Sequence, residues 1–330
     1  MTIDYISYHV KMMPVRGVGG FGGGATGLGF VSAAGGTGLW YGSRGVFMGG
    51  YSGSVENTME YVTIDTTSGT SDFGDLASSR QYLAGTSNGV RGIAAGGYSL
   101  NIYYITIATT SGSSTFGDLT LNRGGAAAVC DGNYACFIGG YKNAGSTAVN
   151  NIDYITVATA GDAADFGDCT EARDTSGPAN DATRGLAAAG NNASGNRILN
   201  IDYITIGTSG TAADFGDYGA LTGYVGGCSS TTRAVFGGGH ISPGSGYTSA
   251  MYYVTIQTLG DATSCGSLTE ARFSLAGCSN AIRGVFGGGK KSDGNPSDVM
   301  DYCTIATVSG ATDFGDLSSA RQGISACAGT

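Results

Sequence analysis

The sequence predicts an all-β fold made from one four-stranded unit used many times over, the blade of a β-propeller. Three observations carry that prediction. The stretch NIDYITVATAGDAADFGDCTEAR at 151 to 173 returns in close variants, as IDYITIGTSGTAADFGDY at 201 to 218 and DYCTIATVSGATDFGDLSSAR at 301 to 321. The landmarks of this repeat keep fixed spacings. No ten-residue window has helical periodicity, whereas short apolar or alternating runs bounded by Gly, Ser and Asn clusters recur throughout.

Each unit reads in the same order. It opens on an Arg and a short apolar segment, as in RFSLAGCS from Arg272, and 11 residues later comes RGVFGGG at Arg283. The same interval of 11 separates Arg80 from Arg91, Arg123 from Tyr134, Arg173 from Arg184 and Thr222 from Arg233. A loop of variable length follows, then D-Y-I-T-I, then D-F-G-D-L. The Tyr of D-Y-I-T-I precedes the next opening Arg by 19 residues at Tyr61, Tyr104, Tyr154, Tyr253 and Tyr302. One D-F-G-D is degenerate, Ser264, Cys265, Gly266 and Ser267. Four short antiparallel strands in a period of 43 to 50 residues match a propeller blade. One such sheet cannot bury both faces alone; a closed ring of them can, and it leaves no free end. Glycine in G-G-G would permit close approach of sheets near the axis.

The ends decide the number of blades. RQGISACAGT (321 to 330) is a first strand with nothing after it. TIDYIS (2 to 7) is a third strand with nothing before it, and RGVGGFGGG (16 to 24) resembles a second strand. Together they favour a seventh, three-stranded blade closed by both termini, with LGFVSAAGG (28 to 36) beginning the first complete blade. The alternative is six blades, the last strand pairing directly onto Arg44 to Gly50, with residues 1 to 43 as a docking arm. The reading divides the single propeller into 1–27 (closing strands or arm), blades 28–79, 80–122, 123–172, 173–221, 222–271 and 272–320, and a closing strand 321–330.

Composition narrows the function. Gly is 61 of 330 residues, roughly two to three times the usual share, and only 12 % are charged. The 41 % hydrophobic content argues for a folded chain. A net charge of −9 with scattered basic residues gives no electrostatic grip on nucleic acid. No run of about 18 apolar residues exists for a membrane-spanning helix, and the N-terminus lacks a secretory pattern, so synthesis in a cytoplasm is expected. The eight cysteines include no C-x-x-C and read as small buried hydrophobes in a reduced protein.

The order of apolar strand, Gly139-Gly140, Tyr154 and an aromatic turn resembles the kelch repeat, with Phe166 where kelch has Trp and at a longer spacing. The I-D-Y-I-T-I-A-T…D-F-G-D-L…A-R…R-G-V-F-G-G-G pattern over 44 to 330 is more similar to kelch-like propeller repeats of tailed-phage virions, particularly marine and cyanobacterial phages. The resemblance implies a structural or adsorption protein of a tail fibre or appendage, not an enzyme. Its partners would be other virion proteins and a host-surface receptor or glycan, and it would reside in the virion, in several copies. Alternatives in view are a capsid decoration protein, a carbohydrate-active propeller enzyme using Glu56 or Asp298, and a cellular kelch-like adaptor.

The residues themselves offer little chemistry. The two histidines, His9 and His240, have no repeated acid or nucleophile partner. Asp162, Asp165 and Asp168 lie close in GDAADFGD, but acids repeated in every unit suggest turn geometry rather than one metal site. No phosphate loop, cofactor or metal is expected. The repeated arginines are read as braces to backbone carbonyls or to the D-F-G-D carboxylates. What varies is the loop between the second and third strands, a Tyr, Ser, Gly and Asn composition suited to contact surfaces. Its residues Tyr51, Tyr98, Tyr141, Lys142, His240, Tyr247, Lys290 and Lys291 are the expected binding face.

Overall fold

A computed structural model describes residues 41–142, 147–242, 246–307 and 309–330. Strands and turns fill them, and no helix among them is long and apolar enough to cross a membrane. Six antiparallel four-stranded arrays form the blades; the third also carries the two-residue strand Tyr141–Lys142. Blade I runs from Ser325–Gly329 through Arg44–Tyr51 and Val55–Thr63 to Ser71–Asp75. The innermost strands of blades II to VI are Leu83–Ser87, Ala127–Cys130, Gly177–Asn180, Gly226–Ser229 and Ala276–Ser279. Each innermost strand lies beside those of both neighbouring blades, so the six close a circle.

The ring has six blades, not the seven favoured from the sequence. The C-terminal strand pairs directly with Arg44–Tyr51, in register Cys327 opposite Val46, and supplies the innermost strand of blade I. It touches the inner strands of blades VI and II on either side, which leaves no gap for a further blade. The N-terminal segments expected to build or begin a blade, 2–7, 16–24 and 28–36, lie outside the described residues.

Burial falls from the second strand of a blade outward. In blade VI the second strand Arg283–Gly287 is buried after its first residue. The third strand, Val299–Thr304, is buried at Met300, Asp301 and Cys303, and in the outer strand Thr312–Asp316 only Phe314 is buried. The apolar clusters lie between blades, as a two-faced sheet requires. Phe47 and Val62 of blade I pack with Val285 and Phe314 of blade VI, and an equivalent cluster fills each of the other five joints. All eight cysteines are unpaired and buried. Three of them explain the Gly of R-G-V-F: a Cβ on Gly284, Gly45 or Gly92 would meet the sulfur of Cys228, Cys278 or Cys327 at 2.2, 2.7 and 2.6 Å.

Two sets of arginines hold the joints. Arg44, Arg91, Arg184, Arg233 and Arg283 each stack over the Tyr of their own blade, 4.3 to 4.7 Å from the ring centre. Each also donates to a carbonyl of the next blade, as Arg44 does to Ile107 at 2.8 Å and Arg283 to Ile64 at 3.0 Å. The opening arginines Arg123, Arg173, Arg272 and Arg321 are fully buried. Their carboxylate partners are Asp153, Asp202, Asp301 and Glu60, in the third strand, rather than the D-F-G-D acids expected from the sequence. The same acid receives the preceding blade: Asp202 accepts from the Thr170 amide at 2.8 Å and its hydroxyl at 2.6 Å.

The two blades without this ion pair show why it belongs to the joint. Blade V has Thr222 in place of Arg and Tyr252 in place of the acid. Gly219 stands where Thr170 does, and a Cβ there would lie 1.9 Å from the Tyr252 ring. The Tyr252 ring packs on Tyr218 at 4.8 Å instead. Blade II has Tyr103 at the acid position, and Arg80 is only half-buried there. The glycine doublets follow the same logic: Gly140 donates to the Arg173 carbonyl at 2.8 Å, and a Cβ on Gly139 would be 2.3 Å from that oxygen. Close approach is therefore to the next blade's opening residue, beyond the axis-lining strands. Nearest the axis, a Cβ on Gly227 would lie 2.0 Å from the Pro178 carbonyl oxygen.

Arg173→Thr leaves Asp202 buried without its cation and is expected to cost about 3–5 kcal/mol in denaturant titrations. Adding Asp202→Tyr and Thr170→Gly copies three of the four residues of the blade V joint and should recover most of that loss. A triple variant no more stable than the single one would show that the two joints are not interchangeable solutions.

Candidate functional site

At one end of the channel the chain makes a second closed circle, of backbone hydrogen bonds. Two residues after each opening position stand Tyr82, Gly125, Thr175, Tyr224, Ser274 and Gly323. All six have positive φ, between 51° and 64°. That left-handed turn aims each amide at the same residue of the preceding blade. Gly125 donates to Tyr82, Thr175 to Gly125, Tyr224 to Thr175, Ser274 to Tyr224, Gly323 to Ser274 and Tyr82 to Gly323, at 2.7 to 3.1 Å. Since the amides are spent on the circle, the side chains at these positions are free to differ.

They differ by building an aromatic rim. Tyr82 lies 6.0 Å from Tyr98, 6.1 Å from Tyr141 and 6.4 Å from Tyr224, centre to centre. Tyr98 and Tyr141 share a hydrogen bond of 2.7 Å between their hydroxyls. The Gly members of the circle make room, for a Cβ on Gly125 would meet the Tyr141 ring at 2.5 Å. The rim continues from Tyr224 to Phe273 at 5.3 Å, and Phe273 packs against Tyr247 at 4.7 Å and His240 at 5.6 Å. Arg197 stacks on Tyr224 and bonds the His240 ring and carbonyl and the Asn191 side chain. Asn191 in turn donates to Asp174 at 2.6 Å.

Burial sets the protonation of this end. It pushes the phenols of Tyr82, Tyr98 and Tyr141 above their usual range and that of Tyr224 up to about 12. Burial and the Arg197 charge lower His240, so its neutral form is favoured. Burial raises Asp174 against the opposing pull of Asn191, Thr175 and Arg197.

Two chambers lie along the axis, of roughly 90 and 80 Å³, and share a waist of small residues including Gly85, Ala128, Pro178 and Gly227. Tyr82, Tyr224, Thr175 and Ser274 line the chamber under the rim. Tyr41, Ser87, Asn180, Ser229 and Ser279 line the opposite one. There the side chains bridge inner strands, Ser279 to the Ser229 carbonyl and Ser229 to that of Asn180, both at 2.7 Å.

Of the expected binding-face residues, the structure gathers Tyr98, Tyr141, His240 and Tyr247 into the rim. Tyr51 is tied by its backbone to Gln322 in blade I. Lys290 pairs with Phe273 by backbone, Lys291 lies 3.9 Å from Asp293, and Lys142 is exposed. Tyr82, Tyr224, Phe273, Arg197 and Asn191 escaped the sequence reading. The signal for Tyr82 and Tyr224 was variation at the second position after each opening residue; Phe273 directly follows Arg272, and Asn191 and Arg197 lie in the variable loop 191–200. The D-F-G-D acids serve turns: Asp72 and Asp313 accept from the amides of Gly74 and Gly315. Among the described residues no group of three or more His, Cys, Asp or Glu is placed to hold a metal ion.

No protein-family model matches the chain, and no curated protein matches it.

The raised rim phenols predict a signed alkaline response. Their folded values lie above the unfolded one near ~10, so their contribution is full below that pH and is lost as pH rises through the folded values. Phenolate absorbance should therefore rise in more than one step, with a last fraction, from the rim, appearing only together with loss of the β-sheet circular dichroism signal. A single ionisation step of all tyrosines in the folded protein would contradict the burial of the rim.

Proposed function

We propose that this chain is a structural protein of a tailed-phage virion, a non-enzymatic propeller in a tail fibre or appendage that serves assembly and contact with the host surface. The observation that carries this reading is the separation of constant from variable residues. The repeated arginines, acids and glycines are consumed in the joints between blades, while the residues that differ from unit to unit gather around one end of the channel. A rigid ring presenting one variable face suits recognition better than turnover. The resemblance of the repeats to kelch-like virion propellers supplies the setting, and with it the partners, other virion proteins and a host receptor or glycan.

Two groups that an enzyme could use, His240 and Glu56, are held by neighbouring side chains. The His240 ring nitrogen faces the Arg197 guanidinium, and the ring packs between Tyr247 and Phe273, which supports bracing rather than proton transfer. Glu56, a candidate general acid in the enzyme reading, is held below the usual carboxylate range by the hydroxyls of Ser52 and Ser54. A general acid needs the opposite shift.

Particles carrying Tyr98→Ala with Tyr247→Ala should assemble normally and adsorb to host cells more slowly, by about tenfold or more; deletion of the whole gene should remove or alter a tail structure seen by electron microscopy. Wild-type assembly and adsorption after deletion would sink the proposal.

A further inference from the structure

The rim chamber combines three properties that are rarely found together by accident. Its lining is uncharged: Tyr82, Tyr224, Thr175, Ser176 and otherwise small or aliphatic residues. Aromatic rings stand at its opening. It also carries a polar atom with nothing to bond. Ser325 is 4 % exposed, lines the chamber, and its hydroxyl has no hydrogen-bond partner among the described residues. The five other inner strands have Ala84, Ala127, Gly177, Gly226 and Ala276 at this position, so the hydroxyl is no requirement of the fold. Ser274, 6 % exposed, lies beside the Tyr82 phenol and lines the same chamber. By contrast the Ser176 hydroxyl is spent on the Ala189 carbonyl at 2.8 Å. A buried hydroxyl left unbonded is costly and points to an acceptor or donor that comes from outside the chain.

We propose that this mouth binds the terminal residue of an uncharged glycan. The C–H face of the sugar lies against Tyr82 and Tyr224, and one small substituent, a hydroxymethyl group or the methyl of an acetamide, enters the chamber toward Ser325 and Ser274. Aromatic faces with hydroxyl partners match the alternating apolar and polar character of a sugar ring. A volume of roughly 90 Å³ admits a substituent and not a whole ring. Charged sugars are disfavoured, because the chamber offers no cation and the nearby Arg197 is engaged by Asn191 and His240. The inference rests on the host-surface reading above and names its ligand class.

The test uses the purified full-length protein with methyl glycosides of glucose, galactose and N-acetylglucosamine, and methyl glucuronide as the charged control, followed by saturation-transfer NMR and titration calorimetry. At least one neutral glycoside should bind, with transfer strongest at its exocyclic substituent, and the glucuronide should not. S325A combined with S274G copies residues that other blades use natively, Ala276 and Gly323. It should weaken binding by about tenfold, the worth of roughly one hydrogen bond, while the melting temperature holds or rises. No binding of any neutral glycoside, equal binding of the glucuronide, or binding unchanged by the double substitution would overturn the proposal. Failure of sugar binding in a protein found on virions overturns this inference alone. Sugar binding by a protein absent from virions overturns the virion reading and leaves the site standing.

Discussion

Six main-chain hydrogen bonds running head to tail around the channel are the constraint on which the rest of this structure depends. Each joins one blade to the next, and the last, from Tyr82 to Gly323, joins the beginning of the ring to its end. The geometry demands a left-handed residue at the same place in every unit, which non-glycine residues adopt only at some cost. The fold accepts that cost in four of the six units, at Tyr82, Thr175, Tyr224 and Ser274. What it gains is a site where the backbone is fully committed and the side chain is unconstrained. The aromatic rim grows from those side chains.

The joints farther out follow the same division of labour. An Arg, a carboxylate and a Thr from the preceding blade meet at three joints as Arg123, Asp153 and Thr120, as Arg173, Asp202 and Thr170, and as Arg272, Asp301 and Thr269. Where the Arg is absent the acid and the Thr are absent too, and Tyr252 against Tyr218 fills the space over Gly219. A buried ion pair is weak evidence for extra stability, since apolar packing of similar volume often does as well. Its use here is to fix the angle and register at which one wedge meets the next. The coexistence of both solutions in one ring shows that the joint, rather than any single residue, is what the repeat preserves.

Much of this was legible in the sequence because the repeat is a record of joints. Fixed intervals gave the strands, and recurrence of the D-F-G-D turn pointed to turn geometry, which the contacts of Asp72 with Gly74 and of Asp313 with Gly315 match. The blade number was misread because 2–7 and 16–24 carry strand-like motifs, while the partner that assigns the C-terminal strand to blade I, Glu60 to Arg321, is 261 residues away in the chain. The arginine partners were misjudged for a related reason: the D-F-G-D acids are near in sequence, but the third-strand acid is near in space. Tyr98 and Tyr141 could be read from variable loops. Tyr82, Tyr224 and Ser325 could not, since they sit inside an apolar segment and only ring closure brings them to one opening.

Hydrogen exchange at the six circle amides tests the central claim most directly, namely that the chain closes at six blades through this continuous belt. In a closed ring the amides of Tyr82, Gly125, Thr175, Tyr224, Ser274 and Gly323 exchange only with global unfolding, and removing residues 325–330 exposes all six together. Free exchange at Tyr82 and Gly323 in the intact protein, with the other four still protected, would mean that the circle is open where the account closes it.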